Sequence, residues 1–165
     1  MTAPLIRPAT VDDYDAILAI WNPVFRDTLI TFASVEKTPA TLSQYVETRR
    51  GNGREFFVAT VAGKLAGFAS YDQFRGGDGY VHAMEHTVIL DAFARGQGIG
   101  RALMAAVEDH ARAGGAHTMV AGISGGNPDA VPFHAALGYV PCGRMPQSGR
   151  KFGQWHDLIL MQKIL

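Results

Sequence analysis

The stretch from Glu85 to Arg101 constrains this chain more than any other. Tyr80 to Leu90 is rich in β-formers and predicts a long strand. From Gly98 to Ala113 the apolar residues Ile99, Leu103, Met104 and Val107 fall on one face of a predicted helix, which Gly114-Gly115 stops. Between them runs Arg95-Gly96-Gln97-Gly98-Ile99-Gly100-Arg101. Three alternate glycines let the backbone pass close to a ligand without Cβ clashes. The free N–H groups and the dipole at the helix start favour an anion there, and Arg95 and Arg101 add positive charge. The turn is built for a phosphate or pyrophosphate, or else it is a glycine-rich turn of no chemical role. A dinucleotide site needs G-x-G-x-x-G in the first strand-turn-helix unit, and a P-loop needs G-x-x-x-x-G-K-[ST]. Alternate glycines past the middle of the chain, followed by Arg101-Ala102, satisfy neither.

The 165 residues fit one domain, and nothing marks an internal boundary, so residues 1–165 are read as a single unit. Hydrophobic content of 47% against 18% charged excludes a disordered chain. The formal net charge of zero gives no pull toward nucleic acid or an anionic membrane. Cys142 is the single cysteine, so no intrachain disulfide and no multi-cysteine metal site can form. The six histidines share no metal-ligand spacing, and no metal is expected. His82 and His86, an even distance apart, would share one strand face. Without a signal-peptide pattern or an apolar span, the expectation is a soluble cytoplasmic protein.

Ile6 ends a short first strand. Thr10 and Asp13 open a helix over about 11–20, and Trp21 to Val35 reads as irregular. Thr38-Pro39 opens a second helix. Glu55–Val61 and Leu65–Phe74 form a hairpin around Ala62-Gly63-Lys64, and Arg75 to Gly79 is a flexible loop. After the glycine turn and its helix come a strand at His117–Ile123, a short helix from Pro128 to about Leu137, and strands at Tyr139–Cys142 and Trp155–Lys163. This order is that of an α/β or α+β sandwich, with helices on both faces of a mixed sheet.

At the glycine turn the sequence resembles the GCN5-related N-acetyltransferase superfamily. Arg95, Gly98 and Gly100 match its acetyl-CoA signature [QR]-x-x-G-x-[GA]. Glu85-His86-Thr87-Val88, Asn127, and His134-Ala135-Ala136-Leu137-Gly138-Tyr139 follow in the family's order. The tail from Lys151 to Asp157 is similar to the K-x-G-x-W-x-D ending of the phosphinothricin N-acetyltransferase branch. Met119-Val120-Ala121-Gly122-Ile123 and Met145-Pro146-Gln147 look closest to the methionine sulfone and methionine sulfoximine acetyltransferases within it. The resemblance covers about Ile6 to Leu165. It implies a twisted sheet of six or seven strands flanked by about four helices, with central strands splayed around the pantetheine of acetyl-CoA.

The resemblance also implies roles. Val88, Ile89 and Leu90 offer backbone groups to the pantetheine and the acetyl carbonyl, as a core strand can without losing its packing. Arg95, Gly96, Gln97, Gly98, Ile99, Gly100 and Arg101 hold the pyrophosphate. Asn127 bonds the pantetheine arm, or caps the helix after it. Ala130 departs from the serine that is common in the branch. Glu85 is the general base toward an ammonium acceptor, or a strand glutamate paired or solvated. His134 protonates the leaving thiolate, or packs as a helix-face histidine. Arg75, Asp78, Gly79 and Tyr80 align with the branch's substrate loop, where a guanidinium would grip a carboxylate at two points, or Arg75 is simply solvated. Trp21, Asn22, Thr28, Thr31 and Phe32 lie where the family closes over the acceptor. The implied activity is acetyl transfer from acetyl-CoA to a small amino-acid-like amine in a ternary complex, by a homodimer. A protein N-terminus, a polyamine or a purely regulatory CoA-binding module are the alternatives.

Overall fold

The computed structural model describes residues 2–165. A seven-stranded mixed sheet runs in the order β1-β2-β3-β4-β5-β7-β6. The strands are β1 (Leu5–Pro8), β2 (Phe56–Val61), β3 (Lys64–Gln73), β4 (Ala83–Leu90), β5 (Thr118–Ser124), β6 (Val140–Lys151) and β7 (Gln154–Ile164). The helices are α1 (Tyr14–Asp27), α2 (Pro39–Gly51), α3 (Ile99–Ala113) and α4 (Ala130–Ala136). This is the mixed α/β sandwich expected from the order of elements.

Two apolar layers cover the sheet. On one face Ile17, Trp21, Phe25, Leu42 and Val46 of α1 and α2 bury Phe56, Val58, Phe68 and Ile89. The Trp21 and Phe68 ring centroids lie 4.8 Å apart, and Phe56 stacks on Phe68 at 5.2 Å. On the other face Ile99, Leu103, Met104 and Val107 of α3 pack on Ala59, Ala69, Met84, Met119 and Ala121. Strand alternation therefore sends Met84 and His86 toward α3 and α4, and Glu85, Thr87 and Ile89 toward α1 and α2.

Three elements differ from the sequence expectation. α1 continues to Asp27, with Pro23 inside it. Proline there costs a backbone bond, but Trp21, Val24 and Phe25 are all buried on the turn around it, and that packing carries the helix through. β4 begins at Ala83, because Asp78–Tyr80 forms a short 3-10 turn instead of strand. β6 runs from Val140 to Lys151, well beyond Cys142. It is an exposed edge strand, held by pairing with β7 and interrupted between Met145 and Gly149.

Candidate active site

β4 and β5 are parallel neighbours for three residues only: Ala83, Met84 and Glu85 face Thr118, Met119 and Val120. Beyond Glu85 they part. β4 stays paired to β3 as far as Leu90, and β5 stays paired to β7 as far as Ser124. Each strand is fixed on its outer side and unpaired on its inner side. The resulting wedge is a cleft of about 710 Å³. Thr87, Val88, Ile89 and Leu90 line one side, and Gly122, Ile123 and Asn127 the other. Backbone donors and acceptors of β4 on that edge are left for a ligand.

The glycine turn closes the outer end. Arg95, Gly96, Gly98, Ile99, Gly100 and Arg101 all line the cleft. Gly98 precedes α3 with φ of 77°, a left-handed conformation that a side chain would strain. No side chain caps α3, so its first N–H groups remain available. Gly100 has a different reason: a Cβ there would come within 2.9 Å of the Phe133 ring. Gln97 turns away, its amide donating to the Phe93 carbonyl. The turn thus fits a pyrophosphate, and the unpaired strand edges fit an amide-bearing arm such as pantetheine. Asn127 lines the cleft and is not the cap of α4, whose N-terminal neighbour is Asp129. Among the described residues its side-chain amide has no protein partner, leaving it free for that arm.

Glu85 occupies the last paired position, at the apex of the wedge. It points to the α1 and α2 face, and its Oε2 lies close over Gly122. Burial pushes its carboxyl above the usual carboxylate range. The cleft wall on that face consists of Trp21, Val24, Phe25, Ile30 and Thr31, and Glu85 lies behind its lining. Three contacts hold this wall. The buried Lys151 ammonium donates to the Thr31 carbonyl at 2.9 Å and the Val24 carbonyl at 3.3 Å. Phe32 stacks on His156. The Asn22 amide exchanges two 2.9 Å bonds with the backbone of Lys37, whose ammonium lies over Trp21 and Tyr45. The tail has a second anchor, since Asp157 accepts from Arg144 and from the Gln147 N–H across the irregular part of β6.

His134 and His86 meet on the opposite, α4-facing side, both buried and both lining the cleft. His134 Nδ1 lies 2.7 Å from the Ala130 carbonyl and its Nε2 3.1 Å from His86 Nε2. A carbonyl only accepts, so Nδ1 of His134 carries the proton. In the neutral pair His134 Nε2 is then the acceptor and His86 the donor. Among the described residues His86 Nδ1 is left bare, buried and without a partner. Burial lowers the proton affinity of both, taking His86 to about 3. The sequence offered no sign of this pair, because the two residues are 48 apart on different elements. Lys151 was visible only as part of the tail motif.

The expected substrate-loop residues lie away from this cleft. Arg75, Asp78, Gly79 and Tyr80 are exposed and none of them lines the cleft. β3 and β4 are antiparallel with Gln73 opposite Met84, so their connection leaves from the N-terminal end of β4, while the cleft opens at its C-terminal end. Within one chain the Arg75 guanidinium rests over the Tyr80 ring.

Comparison with known proteins agrees with this geometry. The description "Acetyltransferase (GNAT) family" matches residues 15–139. The chain belongs to the GNAT family of acetyltransferases. A Pseudomonas aeruginosa protein named L-methionine sulfoximine/L-methionine sulfone acetyltransferase is 39% identical over 158 residues, covering 95% of this chain and 92% of its own. A crystal structure of a ribosomal-protein-alanine N-acetyltransferase from Brucella melitensis superposes with a TM-score of 0.93 at 40% identity, covering 98% of this chain and 99% of the other. A Sinorhizobium meliloti GNAT phosphinothricin acetyltransferase, solved with acetyl-CoA, has a TM-score of 0.93 at 31% identity, covering 100% of this chain and 89% of the other. This GNAT chain is thus an acetyl-CoA-dependent acetyltransferase, with the sheet and helices of that fold.

Proposed function

We propose that the chain acetylates the amino group of a small amino-acid-like acceptor of the methionine sulfone, methionine sulfoximine or phosphinothricin type. The observation that carries this reading is the wedge between two unpaired strand edges, closed by the glycine turn and walled by Trp21, Phe25 and Thr31, with the partly buried Glu85 carboxylate at its apex. Acetyl-CoA supplies the activated acetyl group as substrate. Arg95 to Arg101 receive its pyrophosphate, and Val88 to Leu90 and Asn127 its pantetheine. A backbone N–H of the β4 edge aimed at the thioester oxygen would stabilise the charge that develops there. An acceptor arriving as an ammonium must lose a proton before attack, and Glu85 takes it, directly or through water. His134, once protonated, hands a proton to the departing thiolate.

Of the cations beside the acceptor wall, Lys151 is spent on two carbonyls and the Lys37 ammonium lies over Trp21, Phe25 and Tyr45. We take a homodimer as the working assembly. We take residues 1–165 as one catalytic domain acting in the cytoplasm. The name of the Brucella protein supports a second reading, in which the acceptor is a protein N-terminal α-amine. An acceptor screen scored by free thiol release separates the two. Turnover with methionine sulfone, methionine sulfoximine or phosphinothricin is expected. Turnover with N-terminal peptides alone would transfer the function to the second reading, and no thiol release with any amine would overturn both.

A further inference from the structure

The histidine pair does more than line the cleft. Both ring nitrogens of His134 are already committed, Nδ1–H to the Ala130 carbonyl and the Nε2 lone pair to His86. The ring centroids lie 5.0 Å apart with 23° between their planes, and the edge of the buried Tyr139 ring closes on both. His86 belongs to β4, whose outer edge is fixed to β3, and His134 belongs to α4. The pair therefore joins the cofactor strand to the helix that carries Phe133 and follows Asn127.

We propose that His86 is a positioning residue, whose Nε2–H holds His134 as the neutral Nδ1–H tautomer and so sets the pH at which His134 becomes a proton donor. This rests on the role given above to His134. The argument is geometric. Protonating His134 Nε2 puts two N–H groups nose to nose unless His86 gives up its own Nε2 proton and takes one on Nδ1. Nδ1 of His86 is buried with no acceptor nearby, so that exchange costs a second hydrogen-bond rearrangement. The surrounding charges do not compensate. The Tyr139 hydroxyl faces away and donates to Glu108 of α3 at 3.0 Å, and that carboxylate also accepts from Lys163 of β7 at 2.6 Å. Of the charged residues that line the cleft, Arg95 and Arg101 oppose a further positive charge, and Asp129 is exposed. Two imidazoles at this separation also repel a second charge once one is protonated.

Ring-nitrogen NMR of the wild-type protein with acetyl-CoA bound tests the tautomer directly. At pH 7.5 His134 is expected to carry its proton on Nδ1, with Nε2 bare and bonded to His86. A His134 protonated on Nε2 at that pH would overturn the proposal, whatever the variants do. His86→Phe keeps a flat ring against Tyr139 and removes the donor. The His134 titration midpoint should rise by at least one pH unit, a tenfold gain in proton affinity, and the kcat profile should shift the same way. His86→Gln, whose amide can donate in place of Nε2–H, should restore a midpoint close to wild type. An unmoved midpoint in a folded His86→Phe protein, or identical midpoints for Phe and Gln, would also overturn it. A shifted titration with an unmoved kcat profile upholds the positioning and removes His134 from the chemistry, so the two ideas fail separately.

Discussion

A Cβ placed on Gly122 would come within 2.6 Å of the Glu85 carboxylate oxygen. The residue beneath the candidate base's carboxylate is therefore small because the carboxylate occupies its side-chain space. Gly122→Ala is expected to leave the sheet intact, since the obstacle is the end of a flexible side chain. It should displace the carboxylate by an ångström or so and lower kcat by roughly 10²-fold. Circular dichroism and thiol-release kinetics on the same preparation check both halves.

Glu85 itself gives a pH prediction with two opposite signs. Its carboxyl is desolvated and its proton affinity raised. The base form is lost as pH falls, so kcat/KM should drop on the acid side at a pH above the ordinary carboxylate value of 4.5. Glu85→Gln should remove that limb and cost about 10²- to 10⁴-fold in rate. Stability moves the other way. A carboxyl with a raised folded-state value contributes stability below its unfolded value and loses it as pH rises through the folded one. Glu85→Gln should therefore melt above wild type at pH 7.5, and a lower melting temperature would contradict the desolvation.

Lys151→Met removes the donor that serves the Thr31 and Val24 carbonyls while keeping most of the apolar stem. Unsatisfied buried carbonyls predict a loss of about 1–3 kcal/mol in denaturant unfolding. Because Val24 and Thr31 line only the acceptor side, KM for the acceptor should rise several-fold with KM for acetyl-CoA little changed. Equal effects on both constants would mean that the contact acts on the whole fold.

Gly98→Val should do the reverse. A β-branched residue at φ 77° is strained by about 1–2 kcal/mol, and the turn relaxes away from the geometry that presents its N–H groups. KM for acetyl-CoA is expected to rise at least tenfold, with the acceptor constant near wild type, as steady-state titration of each substrate would reveal.

Acid should weaken the fold through His86. A buried histidine with a lowered folded-state value, here about 3, is neutral in the fold but protonated in the unfolded chain below 6.5. Between those two values stability falls with pH, by about 1.4 kcal/mol per unit once well below 6.5. Chemical denaturation at pH 7.5, 5.5 and 4.5 measures the slope, which should flatten in His86→Phe.

How much of this was legible in the sequence depended on how locally each feature is encoded. The glycine turn was readable because its chemistry lies within seven consecutive residues. The strands β2 to β5 were readable because both faces of their pattern are buried. α1 read short because Pro23 is a local stop signal that the burial of Trp21, Val24 and Phe25 overrides. β6 read short because Pro141, Gly143, Pro146 and Gly149 have no strand preference of their own, and β7 supplies the register. The Arg75 loop was matched by order along the chain, but antiparallel pairing carries it to the other end of β4. The His86–His134 bond depends on the third dimension altogether.

The Lys151 contacts carry a kinetic consequence. They span 120 and 127 positions, tying α1 and the segment after it to the penultimate strand. The glycine turn needs only local contacts and a strand close by in the chain. The acceptor wall cannot lock until the β6–β7 hairpin has docked on α1 and the segment after it, a long-range closure that belongs late in folding. Each molecule should therefore gain a place for its thioester before it gains one for its amine, and a refolding time course followed by acetyl-CoA binding should run ahead of one followed by turnover.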